Sequence, residues 1–291
     1  MDGLDIRTLG ATHIQIAGQE VKWPAHSARD LLLYLLSFPE GRSRAQIFED
    51  LWQADVDAQS GNRFRVVLHR LRAVLGSVDV VEEHLGRYRL GPDVWRASDV
   101  YRFYGALKAA EDTHDPALRR AALLRATDLY ADTYLADVDA DWAVTAREEH
   151  QAAYVQAHLE LSLLHCETGA CTLSVVSLVR ALKADPYVGE HYHQRLMTCL
   201  SVVEDKYASI EHYRRFLHFL RQDVNDTAMP DTLRLAERIK AGEHICQKTD
   251  GTLRDQSTVH HCPLAPDGHC HLLLDGLLDQ DSAHMADLPL A

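Results

Sequence analysis

The sequence predicts an α+β winged helix followed by an all-α, tetratricopeptide (TPR)-like helical-repeat domain. Three observations predict it. Residues 1–93 read as a small sheet, three helices and a hairpin, the element order of a winged helix. Residues 98–242 carry helical periodicity almost throughout, interrupted by breakers at short intervals. Between the two helices of the first block and its hairpin lies "SGNRFRVVLHRLRAVLG", residues 60–76, with four arginines, one histidine and no acidic residue.

The N-terminal sheet rests on "LDIRTLG", "THIQIAG" and "QEVKW", which alternate apolar and polar residues and are punctuated by Gly10 and Gly18. Pro24 and Ser27 introduce a first helix, "SARDLLLYLLSFPEG", with an apolar face of Leu31, Leu32, Leu35 and Leu36 and a stop at Pro39 and Gly41. A second helix follows in "SRAQIFEDLW", with Ser43 as its N-cap and Ile47, Leu51 and Trp52 as its buried stripe. After the arginine-bearing helix, "VDVVEEHLGRYRL" reads as a strand, a turn at Gly86 and a strand. Further on, helices are expected at 98–113, 116–131, 139–168, 172–184, 188–203, 205–222 and 230–241, separated by Asp115-Pro116, Gly169, Asp185-Pro186 and Met229-Pro230. Helix pairs with short joints suggest an α-solenoid, although an even 34-residue period is poor, so any repeats are degenerate. Residues 243–291 change character, with prolines, glycines, aspartates and a Cys/His cluster, and read as a weakly ordered tail.

With 291 residues, 46% hydrophobic and 25% charged, the chain has an ordinary globular composition and room for about two domains. It contains no run of ~18 apolar residues, so no membrane span is expected. "MDGLDIRTLG" has an early acid and no apolar core of a secretory signal. Six cysteines are too sparse for a disulfide scaffold, and a reduced, cytoplasmic setting is the expectation. The formal net charge of −13 is unevenly distributed. Residues 1–92 hold 11 Lys and Arg against 12 Asp and Glu, and the remaining residues hold 19 against 31. Bulk charge therefore argues for no polyanionic partner, whereas the cluster at 60–76 does so locally.

On a helical wheel Phe64, Val67, Leu68, Leu71 and Leu75 fall within ~100° of one another and form the expected core face. Asn62, Val66, His69 and Ala73 lie opposite, with Arg65 and Arg72 on one flank and Arg63 and Arg70 on the other. A small or uncharged ridge between two arginine rails suits a major groove ~12 Å wide, where Asn62 and His69 reach base edges and the arginines reach phosphates or guanine. The plain alternative is a solvated helix face. Context favours nucleic acid: Arg87 and Arg89 lie on the following hairpin, and Arg42 and Arg44 lie near the N-terminus of the second helix, where phosphate binds well.

"IRTLG…GQEVKW…SARDLLLYLLSFPEGRSRAQIFEDLW…GNRFRVVLHRLRAVLG…GRYRL" resembles the winged-helix domain of SARP-type transcriptional activators, and 98–242 resembles the bacterial transcriptional activator domain (BTAD) that follows it. In the helical half the matching residues include Trp142, Arg147, Asp185-Pro186, Glu190, Met197, Tyr213 and Pro230. The resemblance implies a four-stranded N-terminal sheet, a recognition helix carrying Asn62, Arg63, Arg65, His69, Arg70 and Arg72, and a wing. It implies binding to double-stranded promoter DNA repeats and recruitment of RNA polymerase. The stretch "QADVDAQSG" between the second and third helices would be the polymerase-contact loop, with Asp55 and Asp57 as its acidic surface; a solvated turn is the competing reading. The helical domain would serve self-association (a homo-oligomer), signal reception or partner docking. The rival function is a helical-repeat interaction scaffold whose N-terminal domain binds protein rather than DNA.

Other chemistry is thin. No phosphate-binding G-x-x-x-x-G-K-[ST] loop, H-E-x-x-H or G-x-S-x-G occurs, so an enzyme is not expected. In the tail, His260, His261, Cys262 and Cys270 are donors that suit zinc, but their spacing is not that of a finger and no C-x2-C knuckle occurs. Chance composition is the favoured reading, and no cofactor is expected. Cys166 and Cys171, on either side of Gly169, read as small packing residues.

Overall fold

The computed structural model describes residues 3–246. Its first compact unit comprises Met1–Lys108 and Leu124–Tyr154; the second comprises Ala109–Leu123 and the chain from Val155 onward. In the first unit the chain opens as an antiparallel sheet, β1 (Leu4–Arg7), β2 (His13–Ile16) and β3 (Gln19–Glu20), in that order. Three strands, not the four that the resemblance implies, make up this sheet among the described residues. The place on the far side of β1 is taken by a single parallel bridge, Ile6 to Ser98. The chain cannot continue there as a strand, because the helix Asp99–Glu111 begins at the next residue. The buried Asp99 carboxylate accepts hydrogen bonds from the Thr8 amide (2.6 Å), the Thr8 hydroxyl (2.9 Å) and the Leu9 amide (2.8 Å). A side chain thus satisfies the backbone donors that follow the end of β1.

α1 (His26–Ser37) is buried from Leu31 through Ser37 on every side. A helix that is apolar all round has to be surrounded. α3 (Ala58–Leu75) packs on it through Phe64, Val67, Leu71 and Leu75, and the residues 131–146 close over it elsewhere. There Trp142 meets Tyr34 edge to face at 5.6 Å, and the Tyr134 and Ser37 hydroxyls lie 2.9 Å apart. α2 (Arg44–Trp52) starts with the expected Ser43 cap, completed by Gln46 into a capping box. Its buried residues are Ile47 and Phe48; Leu51 and Trp52 are only partly covered. Likewise Leu68, expected in the core, is half-buried, since it sits at the edge of the stripe that α3 turns toward α1.

The second sheet has the order β4 (Arg42–Ser43), β6 (Arg87–Leu90), β5 (Val81–His84), with β5 and β6 forming a hairpin. Gly41 admits β4 to this sheet: its φ is +83°, and a Cβ there would lie 3.0 Å from the Tyr88 carbonyl oxygen. A short α4 (Pro92–Arg96), which the sequence reading left in the linker, precedes α5 (Asp99–Glu111), α6 (Pro116–Leu129) and α7 (Val144–Glu167).

The second unit is helical. α8 (Cys171–Ala184), α9 (Glu190–Val203) and α10 (Lys206–Phe219) pack in succession, and α11 (Pro230–Lys240) returns onto α9 and α10. The Asp185-Pro186 break is an Asx turn, in which Asp185 accepts from the Tyr187 amide at 2.8 Å. Glu190 ties α9 to α11: its carboxylate accepts from the Met229 amide (2.9 Å) and from the Thr232 hydroxyl. Met197 and Tyr213 are core residues beneath this tie. Between α9 and α10 the His193 and His212 rings stack with nitrogens 3.4 Å apart, and Phe216 covers His193.

Two stability predictions follow from this packing. Leu71→Ala, at a fully buried position, costs about 2–5 kcal/mol in chemical denaturation, and Leu68→Ala costs clearly less. Burial holds His193 and His212 at about 4, below the ordinary 6.5. The folded form thus favours the neutral rings. This contribution is complete above about 6.5 and is lost as pH falls through the window down to about 4. Circular dichroism against pH should place the acid transition of the helical unit there, and His212→Phe should move it to lower pH.

Candidate nucleic-acid interface

α3 begins earlier than expected, at Ala58, because Asp57 and Ser60 form a capping box. The Asp57 carboxylate accepts from the Ser60 amide at 2.7 Å, and the Ser60 hydroxyl is 3.0 Å from the Asp57 amide that donates to it. The hydrogen bonds from Ser60 hold the Asp57 carboxyl below its usual pKa. The expected nine-residue loop is therefore only residues 53–57. Asp55 and Val56 are exposed in it, while Asp57 is occupied as a helix cap.

Asn62, Val66, His69 and Ala73 form an exposed ridge, as the wheel predicts. The four arginines beside it are not equivalent. Arg65 and Arg70 are exposed and make no hydrogen bond or ion pair among the described residues. Arg63 is exposed but lies with its guanidinium 4.6 Å from the Trp52 ring centre, a platform that orients it at little energetic gain. Arg72 is half-buried and donates to the Val81 carbonyl at 3.0 Å, which fastens the base of the hairpin to the C-terminal half of α3. Beside these residues runs an open groove of about 510 Å³, lined by Arg65, Leu68, His69, Arg72 and Ala73 and, past the helix end, by Ser77 and Val78. An L residue would strain the helix end, which Gly76 terminates at φ +72°.

The remaining basic candidates are tied to protein groups, although Arg44, Arg87 and Arg89 stay exposed. Arg42 lies in β4, half-buried, with its guanidinium 3.6 Å from the Phe38 ring centre. Arg44, the first residue of α2, donates to the Tyr88 hydroxyl at 2.8 Å, and that hydroxyl donates to Glu83 at 2.7 Å. Arg87 donates to the Gly41 carbonyl at 3.1 Å, and Arg89 pairs with Glu82 at 3.3 Å. Tyr88 is the hub of the hairpin: besides these polar contacts its ring meets Phe64 of α3 edge to face at 4.9 Å. Every acid of β5 thus faces an arginine, Glu82 with Arg89 and Glu83 with Arg44.

Sequence reasoning placed the turn of this hairpin at Gly86, as observed, but missed the strain at Leu85. Leu85 and Gly86 both have positive φ, +50° and +74°, the combination that a two-residue type I′ loop requires and that Asn-Gly usually supplies. A leucine there costs roughly 1 kcal/mol of backbone strain. The signal was present in "HLGR", where a large apolar residue occupies a turn position.

Among the described residues no group of three or more His, Cys, Asp or Glu is arranged to hold a metal. His260, His261, Cys262 and Cys270 lie outside the described residues. No helix of the described residues is long and apolar enough to cross a membrane.

The bacterial transcriptional activator domain family matches residues 93–240. In structure the chain is similar to Mycobacterium tuberculosis EmbR, as seen in complex with a low-affinity phosphopeptide. The TM-score is 0.65 and the sequence identity 21%, over 84% of this chain and 66% of that one. At that identity the likeness speaks for the fold, and this chain spans 66% of the length of the EmbR chain. No curated protein matches it. The order of a winged helix and then the activator domain is thus the architecture observed.

The two classes of arginine should separate by experiment. Arg72→Ala should lower the thermal midpoint by releasing β5 from α3. Arg65→Ala and Arg70→Ala should leave the unfolding free energy within about 0.5 kcal/mol of the parent, as exposed substitutions do.

Proposed function

Because the chain belongs to the bacterial transcriptional activator domain family, a family of transcription regulators and not of enzymes, we propose that it binds double-stranded promoter DNA through α3 and activates transcription by engaging RNA polymerase. The observation that carries this reading is the outer surface of α3. Asn62, Val66 and His69 form a slim ridge with hydrogen-bonding and methyl groups, and Arg65 and Arg70 flank it with unpaired charge. No acid lies on α3 to oppose a phosphate. Such a helix fits a major groove, where the ridge meets base edges and the arginines meet phosphates or the O6 and N7 of guanine.

The arginines tied to the protein act differently in this reading. Arg72, Arg87 and Arg44 hold the hairpin against α3 and against the turn before α2, so that helix and wing present one rigid surface. Arg63, resting on Trp52, remains available to a phosphate. Asp55 and Val56 on the α2–α3 connection are the groups offered to the polymerase, with Asp57 setting where that connection ends.

The test is a salt titration of binding to a promoter duplex by the full chain. Each phosphate neutralised adds close to one to the slope of log K against log salt. Arg65→Ala and Arg70→Ala should each weaken binding and reduce the slope by about one. A shallow slope in the parent protein, unchanged by both substitutions, would favour the rival reading in which the N-terminal unit binds a protein.

A further inference from the structure

In the second unit, α8 turns three large apolar side chains to water. Its buried face is made of Ser174, Val175, Ser177, Leu178 and Ala181, set against Val155 and Leu159 of α7 and against α9. The inward serines have a use there: the Ser174 hydroxyl donates to the Ser162 carbonyl of α7 at 2.8 Å. The outward face holds Leu173, Val176 and Val179, which are 50%, 41% and 46% exposed. At helical spacing they lie within ~120° of one another and form a continuous stripe. No other helix among the described residues exposes three large apolar side chains. Arg180 and Lys183 continue the stripe toward the C-terminal end of α8, exposed and without an ion pair among the described residues. α8 contains no acidic residue. Single apolar residues on a surface are ordinary, whereas a stripe that ends in charge of one sign marks a contact.

The chain itself holds a segment of matching chemistry. Residues 272–281, which lie outside the described residues, read "LLLDGLLDQD". At helical spacing Leu273, Leu274, Leu277 and Leu278 share one side, and Asp275 and Asp279 share the other. Asp281 falls at the end of the leucine side, one turn past Leu277. Residues 255–291 contain no Lys or Arg. Reach is ample. Ile245 is buried among Met197, Tyr213 and Ile239, which fastens the chain to the second unit just before the tail. The 26 residues from 246 to 271 extend to at most roughly 85 Å, and a unit of about 100 residues has a radius of gyration of only about 13 Å. We propose that residues 272–281 dock on the outward face of α8 as an intramolecular cover. Their leucines lie on Leu173, Val176 and Val179. Asp281 meets Arg180 and Lys183, which sets a parallel register, since charge follows the apolar stretch in both segments. Tethering holds the segment at a roughly millimolar effective concentration, so that even a contact of modest area is filled.

Amide hydrogen exchange of the full chain, read by mass spectrometry, tests the contact. At a concentration where light scattering gives a monomer, residues 272–281 should exchange roughly tenfold more slowly than a free peptide of the same sequence. Val176→Asp should abolish that difference and leave the thermal midpoint unchanged, because residue 176 faces outward. Lys183→Glu should weaken the protection, and adding Asp281→Lys should restore it. Should Val176→Asp lower the midpoint, the Lys183→Glu and Asp281→Lys pair decides alone. Exchange at the peptide rate in the parent overturns the proposal. So does slow exchange that survives both Val176→Asp and Lys183→Glu, since the segment then packs elsewhere. Protection that appears only as the protein dimerises also overturns it and makes a second copy the occupant of α8. None of these outcomes bears on the reading of α3, which the salt titration tests separately.

Discussion

The burial of α1 on all sides is the constraint on which the first unit depends. From Leu31 to Ser37 no face of this helix meets water, and a single sheet or helix covers only one side of a neighbour. α3 and β6 take part of the surface, and residues 131–146 take another through Tyr134 and Trp142. This is why the compact unit runs past the winged helix and enlists Leu124–Tyr154. The same constraint orients α3. Once Phe64, Val67, Leu71 and Leu75 are committed to the core, Asn62, Val66 and His69 have to face outward.

Orientation alone does not make a binding surface, because a rail of arginines can be consumed by the protein itself. Here the division is by position. Arginines that border the hairpin or the turn before α2 find carbonyls, Tyr88 or carboxylates within reach, while Arg65 and Arg70 stand clear of acceptors. The acidic balance of the chain, −13 overall, is carried mostly after residue 92. Repulsion of a polyanion by that remainder would disfavour binding away from α3, a matter of field and not of fold.

Much of this was legible in the sequence, for physical reasons that can be named. Strong periodicity and proline or glycine breaks placed α5 to α11 within a few residues, and Ser43 was recognisable as a cap. The α3 wheel assigned its ridge correctly because a helix has a fixed period. What escaped was whatever depends on partners distant in sequence. No local pattern shows that Arg72 bonds Val81, that Asp99 takes up the amides that follow β1, or that Leu68 lies at the margin of the core. The early start of α3 was in principle readable from Asp57-x-x-Ser60, but Gly61 disguised it as loop. Leu85 was overlooked because a turn residue is judged by its neighbour Gly86, and only the backbone angle shows that the leucine shares the strain.

The central claim is that α3 presents unpaired arginines to a duplex while the others serve the fold. Arginine-selective chemical modification of the full chain, read residue by residue with and without promoter DNA, tests it most directly. Arg65 and Arg70 should react fast in the free protein and become protected by DNA, while Arg72 and Arg87 should react slowly in both states. Uniform reactivity in the free protein, or protection that spares Arg65 and Arg70, would contradict the account.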